Sequence, residues 1–144
     1  MLKADWSNSP LSEKSQMEIL REVSLILKIK KDLLVSLAFV SPAIIKKLNG
    51  NYRGKDKVTD VLSFPFINVD NLVGEVLVCL EQAKKQAEEF QHSLEEEITI
   101  LLVHGLIHLF GFDHLKKLEA EKMFALQKKV LKKLDIDWEI PEAG

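Results

Sequence analysis

The sequence predicts an α+β fold, a single domain in which a small, mostly mixed β-sheet packs against several helices. Apolar runs of strand length all precede residue 81, and segments with helical spacing dominate after it. The almost continuously apolar stretch Ile98 to Phe112 predicts a central helix, and it carries two histidines. Because 144 residues, 47% of them hydrophobic, can fill one core, the domain is expected to span residues 1–144.

The predicted elements follow the order helix, strand, helix, strand, strand, helix, helix, helix. The first helix is expected to begin at Ser9-Pro10, because serine caps helices and proline is favoured at the first helical position. Strands are predicted at residues 33–40, 58–64 and 73–80. Further helices are predicted from Ser41-Pro42 to Asn49-Gly50, over 81–91, from the capping box Ser93/Glu96 to about Leu109, and over 115–134.

Bulk properties narrow the function classes. The net charge of -2 argues against a strongly basic nucleic-acid binder, although it leaves room for a local basic patch. The single cysteine, Cys79, cannot form an internal disulfide and is expected to pack in its strand rather than bind zinc. With no apolar leader and no stretch long enough to span a bilayer, a cytoplasmic location without a membrane partner is predicted.

Three of the four histidines, His104, His108 and His114, fall within eleven residues. On a helix, His104 and His108 lie one turn apart on the same face. Gly111 can end that helix and let the chain turn back, which brings His114 beside the other two. Buried structural histidines are the alternative, but the apolar neighbours offer few hydrogen-bond partners. The pattern therefore predicts a three-histidine metal site with an open fourth position, most simply for zinc, although nickel, copper or iron would also suit.

The spacing equals that of the metzincin peptidases, H-E-x-x-H-x-x-G-x-x-H, with one difference. Gly105 occupies the position of the peptidase glutamate, which is the general base of that reaction. The sequence therefore keeps the metal ligands and lacks the peptidase base. Three neutral imidazoles leave the full charge of the metal, which suits an anionic ligand such as phosphate.

A polar segment at residues 51–57 is predicted to be a loop, and it holds Arg53, Lys55 and Lys57. Arg53 stands between Gly50 and Gly54 and can present its planar guanidinium to phosphate oxygens. Composition alone favours a solvated surface loop.

Three further residues have open roles. Asp113 either hydrogen-bonds a ligand imidazole or caps the turn after Gly111. Asp60 either holds Arg53 or its loop, or is a plain polar residue at a strand edge. His92 is expected to lie on the surface.

Two long motifs resemble the YbeY family. The first, N-x-x-Y-R-x-x-x-x-x-T-D-V-L-S-F-P, runs from Asn49 to Pro65, and the second, H-G-x-x-H-L-x-G-x-D-H, runs from His104 to His114. Between them Val73-Gly74-Glu75-Val76 matches the family's L-G-D-I strand, with glutamate for aspartate. Family members open with a strand, for which only residues 1–6 are available here.

The resemblance implies a bacterial endoribonuclease with one zinc ion per chain, held by the three histidines. It implies that Arg53 and His104 are needed for RNase activity, with Asp60, Asp113, Lys55 and Lys57 as candidates near the metal or the substrate. The implied substrate is single-stranded RNA near the 3′ end of small-subunit ribosomal RNA. The implied partners are the ribosome or small-subunit proteins, with no DNA and a role in ribosome quality control.

Two other functions stay open at this point. One is a ribosome-associated factor whose zinc is structural. The other is a metallopeptidase, which the ligand spacing suggests and Gly105 disfavours.

Overall fold

A four-stranded sheet with five helices makes up the described part of the chain, residues 1–66, 69–111 and 117–139 of a computed structural model. The elements in chain order are β1 (Leu2–Ser7), α1 (Glu13–Ile26), β2 (Leu33–Val40), α2 (Pro42–Arg53), β3 (Val61–Pro65), β4 (Leu72–Cys79), α3 (Leu80–Phe90), α4 (Leu94–Leu109) and α5 (Lys117–Lys133).

The sheet is mixed, with strand order β1-β2-β4-β3. β1, β2 and β4 run parallel, and β3 pairs antiparallel with β4 at the edge. Most buried apolar side chains of the strands and helices belong to one cluster. The predicted α+β class with a mixed sheet is therefore confirmed.

The strand β1 is the element that the predicted order lacks. Leu2 is completely buried, and its backbone N–H donates to Ser24 Oγ at 2.9 Å. Charged residues alternate with apolar ones along β1, because only one face of this edge strand meets the core. This alternation is itself a strand pattern that the predicted order overlooked, and pairing with β2 completes the strand.

Several predicted boundaries were wrong. The cap of α1 is Ser12, whose side chain accepts from Ser15 N–H, rather than Ser9. Helix α2 does not end at Asn49-Gly50 but continues to Arg53, and Gly54 ends it in the left-handed conformation with φ 68°. The first three of the seven residues in the predicted loop at 51–57 therefore belong to the last turn of a helix. Strand β3 begins at residue 61 rather than 58.

Helix α4 is the central element, as the sequence predicts. Its capping box is complete: Ser93 Oγ accepts from Glu96 N–H, and the Glu96 carboxylate accepts from Ser93 N–H. The Ser93 backbone N–H lowers the pKa of Glu96, because the bond stabilises the ionised carboxyl. From residue 97 to 107 all side chains except His104 are buried, so the helix is enclosed by the sheet and by α3 and α5.

Helix α4 approaches the sheet most closely at Gly105. A Cβ atom there would lie 2.6 Å from Val76 Cγ1 and 3.2 Å from Ser63 Oγ. Ser63 Oγ donates to the carbonyl oxygen of Gly105 at 2.9 Å, so a strand side chain binds the helix backbone directly. Only glycine leaves room for this contact.

The fold bears on two further features, the packing of Cys79 and the length of the apolar helices. Cys79 is fully buried at the end of β4, so the expectation that it packs in its strand is confirmed. In the described ranges, none of the helices has the length and apolar character to cross a bilayer.

The close approach at residue 105 predicts a large difference between two glycine substitutions. Gly105→Ala is expected to lower the free energy of unfolding by about 1–2 kcal/mol, because overpacking against Val76 outweighs the gain in helix propensity. Gly50→Ala is the matched control: it is also helical, and its Cβ would meet Asp56 at an ordinary 3.7 Å. The control is expected to gain up to about 1 kcal/mol in urea unfolding. Equal effects of the two substitutions would contradict the packing argument.

Candidate active site

A cleft of about 160 Å³ opens where the end of α2, the start of β3 and the C-terminal half of α4 meet. Its described lining residues are Arg53, Thr59, Asp60, Val61, Ser63, His104 and His108. Arg53 and His104 are about fifty residues apart in the sequence and are brought together because α4 packs across β3 and β4. The fold thus joins the two sequence motifs in one site.

Arg53 reaches the cleft from the last turn of α2, not from a loop. Its side chain is exposed, and a cation is favourable at this end of a helix because it faces the negative end of the helix dipole. The neighbouring ring of Tyr52 packs edge-on against Phe64 of β3, with ring centroids 5.0 Å apart. This contact joins the end of α2 to β3 next to the residue that carries the guanidinium.

His104 and His108 project from the same face of α4. Their ring centroids are 6.5 Å apart with an angle of 17° between the planes, and both side chains are half-buried at the cleft. Two imidazoles placed one turn apart are suitable ligands for zinc, because nitrogen donors of intermediate softness match that ion. The part of the helix predicted to carry the metal ligands therefore fits such an ion.

The orientation of His104 is set by Gln127 of α5. His104 Nδ1 lies 3.1 Å from Gln127 Oε1, and because an amide oxygen can only accept, Nδ1 carries the proton. Nε2 is then the nitrogen that a metal would take. Gln127 is only 1% exposed, so its amide is held by packing.

His114, the predicted third ligand, and Asp113, the residue before it, lie outside the described residues. Within residues 1–66, 69–111 and 117–139, no third histidine, cysteine, aspartate or glutamate completes a metal-binding group with His104 and His108.

The carboxylate of Asp60 accepts two hydrogen bonds at the wall of the cleft, one from the backbone and one from a side chain. Its Oδ1 accepts from Val61 N–H at 2.8 Å, and its Oδ2 accepts from Gln86 Nε2 at 3.3 Å. Among the ion pairs of the described chain, none joins Asp60 to Arg53. Of the two roles left open by the sequence, Asp60 therefore holds the strand edge on which the cleft is built.

The two predicted lysines lie beside the cleft rather than in its wall. Lys55 and Lys57 are both exposed, and neither belongs to the described lining. The backbone around them is ordered: Asn49 Nδ2 donates to the Lys57 carbonyl at 3.0 Å, and Asn49 is 2% exposed. This bond closes the turn that leads from α2 to β3.

Glu97 is a buried polar residue near the cleft that the sequence patterns did not reveal. Glu97 is 3% exposed, with Oε1 2.7 Å from His92 Nε2 and Oε2 accepting from Gln86 Nε2 at 2.8 Å. The expectation that His92 lies on the surface is therefore wrong. Glu97 precedes His104 by seven residues, which is two helical turns, and this spacing is the signal that could have revealed it.

Gly105, the position at which this chain differs from the metzincins, packs directly against the sheet. At residue 105 any side chain would collide with Val76, so no glutamate fits there. The cleft supplies an arginine on its opposite wall instead. Fold and site together define an α+β protein in which a central helix presents paired histidines to an arginine across a small cleft.

Comparison with known proteins identifies this class. The family Endoribonuclease YbeY matches residues 4–135. A protein of that name from Phytoplasma australiense is 46% identical over 121 residues, covering 80% of this chain and 84% of the relative. Another, from Staphylococcus carnosus, is 39% identical and covers 72% and 74%. The solution structure of TM1509 from Thermotoga maritima superposes with a TM-score of 0.64 and 31% identity, over 92% of this chain and 89% of that one.

The chain therefore belongs to the YbeY family of endoribonucleases, enzymes that hydrolyse RNA. The family resemblance inferred from the two motifs is confirmed.

The contact of Gln127 with His104 predicts how substitutions at residue 127 change the affinity of the predicted metal site. Gln127→Met keeps the volume but removes the acceptor, so for the zinc site that the sequence predicts we expect an affinity about 10- to 100-fold below that of wild type. Gln127→Glu retains an acceptor for Nδ1–H and is expected to stay close to wild type. Competition with a chromogenic chelator measures both affinities. Wild-type affinity in the methionine variant would show that Gln127 does not position the ligand.

Proposed function

We propose that this chain is a zinc-dependent, single-strand-specific endoribonuclease that matures ribosomal RNA at the 3′ end of the small-subunit RNA and takes part in ribosome quality control. One observation carries the proposal: Arg53 and the pair His104/His108 line the same cleft. A guanidinium in the same cleft as metal-ligating imidazoles is suited to a phosphodiester, which is anionic and presents two oxygens.

His104, His108 and His114 are the residues that would hold the zinc ion. The donor set supports this, because three neutral imidazoles are a frequent catalytic zinc set with a fourth position open. Zinc supplies a Lewis acid that polarises a phosphoryl oxygen and lowers the pKa of water. His104 also depends on Gln127, which fixes its tautomer from the opposite side.

Arg53 binds the phosphate group of the substrate and stabilises the charge that develops on its oxygens during cleavage. It reaches the cleft from the last turn of α2, next to Tyr52, whose ring packs on Phe64 of β3. Asp60 keeps the wall opposite the histidines in place through the backbone of Val61.

Single-stranded RNA fits the dimensions of the site. A cleft of about 160 Å³ takes one phosphate with part of its nucleotide, whereas a duplex would have to present its backbone from outside. Lys55 and Lys57 are exposed beside the cleft and are suited to neighbouring phosphates. We place the activity in the cytoplasm, with ribosomal RNA and the ribosome or small-subunit proteins as partners.

The other two functions are less well supported. A purely structural zinc would be expected in a closed site, whereas the histidines here border a cleft that also holds an arginine. A peptidase would need a general base at residue 105, where the packing against Val76 leaves no room.

Zinc content tests the metal part of the proposal. One zinc ion per chain is expected, bound through imidazole nitrogens at about 2.0–2.1 Å. His108→Ala is expected to lose most of the metal, whereas His92→Ala, which alters a histidine away from the pair, should keep it. Elemental analysis of the three purified proteins measures this. Equal zinc in wild type and His108→Ala would remove His108 from the site.

Substitutions of Arg53 test the nuclease part of the proposal. Arg53→Lys is expected to keep the fold and the zinc but lose much of the cleavage, because lysine offers a point charge instead of two parallel donors. Arg53→Ala should lose roughly 10²–10³-fold in rate, as does loss of one donor at a comparable electrostatic site. Lys14→Ala is the control, since Lys14 is an exposed residue of α1 that lines neither cavity.

The assay is cleavage of a labelled single-stranded RNA, with zinc content measured for each variant. Full activity of the metal-loaded Arg53→Ala protein would contradict the proposed role. Cleavage of a peptide instead of RNA would favour the metallopeptidase.

A further inference from the structure

A second cavity adjoins the cleft and is not used by the proposed reaction. It measures about 650 Å³, four times the size of the cleft, and shares Asp60, Val61 and His104 with it. The larger cavity, which we call the adjoining pocket, therefore lies directly beside the cleft.

Aromatic rings form one wall of the adjoining pocket. Phe124 lies nearly parallel to the His104 ring, with centroids 6.3 Å apart and an angle of 23°, and Trp138 follows at 6.2 Å from Phe124. Both side chains are half-buried, and the buried side chains of Ile100 and Leu101 also line the pocket. A row of ring faces that begins at a proposed metal ligand offers stacking area for a flat ligand.

The polar part of the wall consists mainly of hydrogen-bond acceptors. Glu97 is held by His92 and Gln86, so its carboxylate is fixed before any ligand binds. Asp60, Asp137 and Glu139 add three more carboxylates to the lining. Such a wall repels a phosphate and accepts N–H groups, whereas Arg53 in the cleft does the opposite.

We propose that the adjoining pocket binds one unstacked nucleobase of the RNA, the base of a nucleotide whose phosphate lies at Arg53. The proposal rests on the endoribonuclease function and adds the site that reads the substrate. The phosphate meets the guanidinium, and the flat, uncharged base enters between the rings and the carboxylates.

The acceptor character of the wall also predicts which base binds best. Guanine presents two neighbouring donors, N1–H and the 2-amino group, which match the two oxygens of an exposed carboxylate of the lining, Asp137 or Glu139. Both oxygens of Glu97 and of Asp60 already take part in hydrogen bonds within the protein. Uracil presents a single N3–H between two carbonyl oxygens, which face repulsion from the carboxylates. We therefore infer a preference for guanosine over uridine in this pocket.

Fluorescence of Trp138 tests occupancy in a protein with an intact pocket. Trp6, in β1, and Trp138 are the tryptophans of the chain, so Trp6→Phe leaves Trp138 as the only one. Stopped-flow mixing with an oligouridine hexamer containing one guanosine is expected to quench this fluorescence before turnover. The all-uridine hexamer should bind at least several-fold more weakly. Absence of quenching with both RNAs, or equal affinity for them, would overturn the inference.

Substitution of Trp138 supplies the second measurement. Trp138→Ala is expected to raise the Kd of the guanosine-containing hexamer by roughly 5- to 150-fold, the range for loss of one stacking ring. Trp138→Phe keeps a ring and should stay within a few-fold of wild type. Trp6→Phe is the control with no expected change in anisotropy titrations. Unchanged affinity in Trp138→Ala would contradict the pocket.

The outcomes separate this inference from the proposed function. Cleavage of RNA with no quenching and no effect of Trp138→Ala would retain the nuclease and reject the pocket. Quenching and a Trp138 effect without any cleavage would retain the base site and reject the nuclease.

Discussion

The close contact between α4 and the sheet at Gly105 is the constraint on which the site depends. Because residue 105 has no Cβ, the helix backbone reaches Val76, and Ser63 can bind the Gly105 carbonyl. This contact sets the height and rotation of α4 over β3 and β4. His104, the preceding residue, therefore faces the start of β3 and the end of α2, where Arg53 lies. A side chain at 105 would press on Val76 and on Ser63, at the contact that places His104 over the sheet.

Buried polar side chains hold the surroundings of the cleft in one arrangement. Asn49 binds the Lys57 carbonyl, Gln127 binds His104, and Glu97 binds His92 and Gln86, and all three are at most 3% exposed. A buried polar group without a partner is costly, so each of these contacts penalises alternative packing. The result is a site whose reactive groups stand on rigid elements, which is what a precise geometry requires.

Charge is divided between two neighbouring cavities. The cleft contains Arg53, with Lys55 and Lys57 exposed beside it, whereas the adjoining pocket is lined by four carboxylates and a row of rings. A nucleotide is divided in the same way, into an anionic phosphate and a flat base with N–H donors. His104 lies at the boundary and borders both cavities. The chain as a whole carries a net charge of -2, so this complementarity is local and invisible in the bulk charge.

The sequence by itself determined the fold class, the central helix and the two motifs, because these depend on local patterns: apolar periodicity, the Ser93/Glu96 cap and the spacing of the histidines. It also carried a signal for β1, the alternation over residues 2–7, which is short and was overlooked, but it could not show the extension of α2 to Arg53. It also missed Glu97 and its bond to His92, because a charged residue in a helix is normally exposed and only packing shows otherwise. The meeting of Arg53 with His104 was decided by tertiary structure alone, since no local interaction links residues about fifty positions apart.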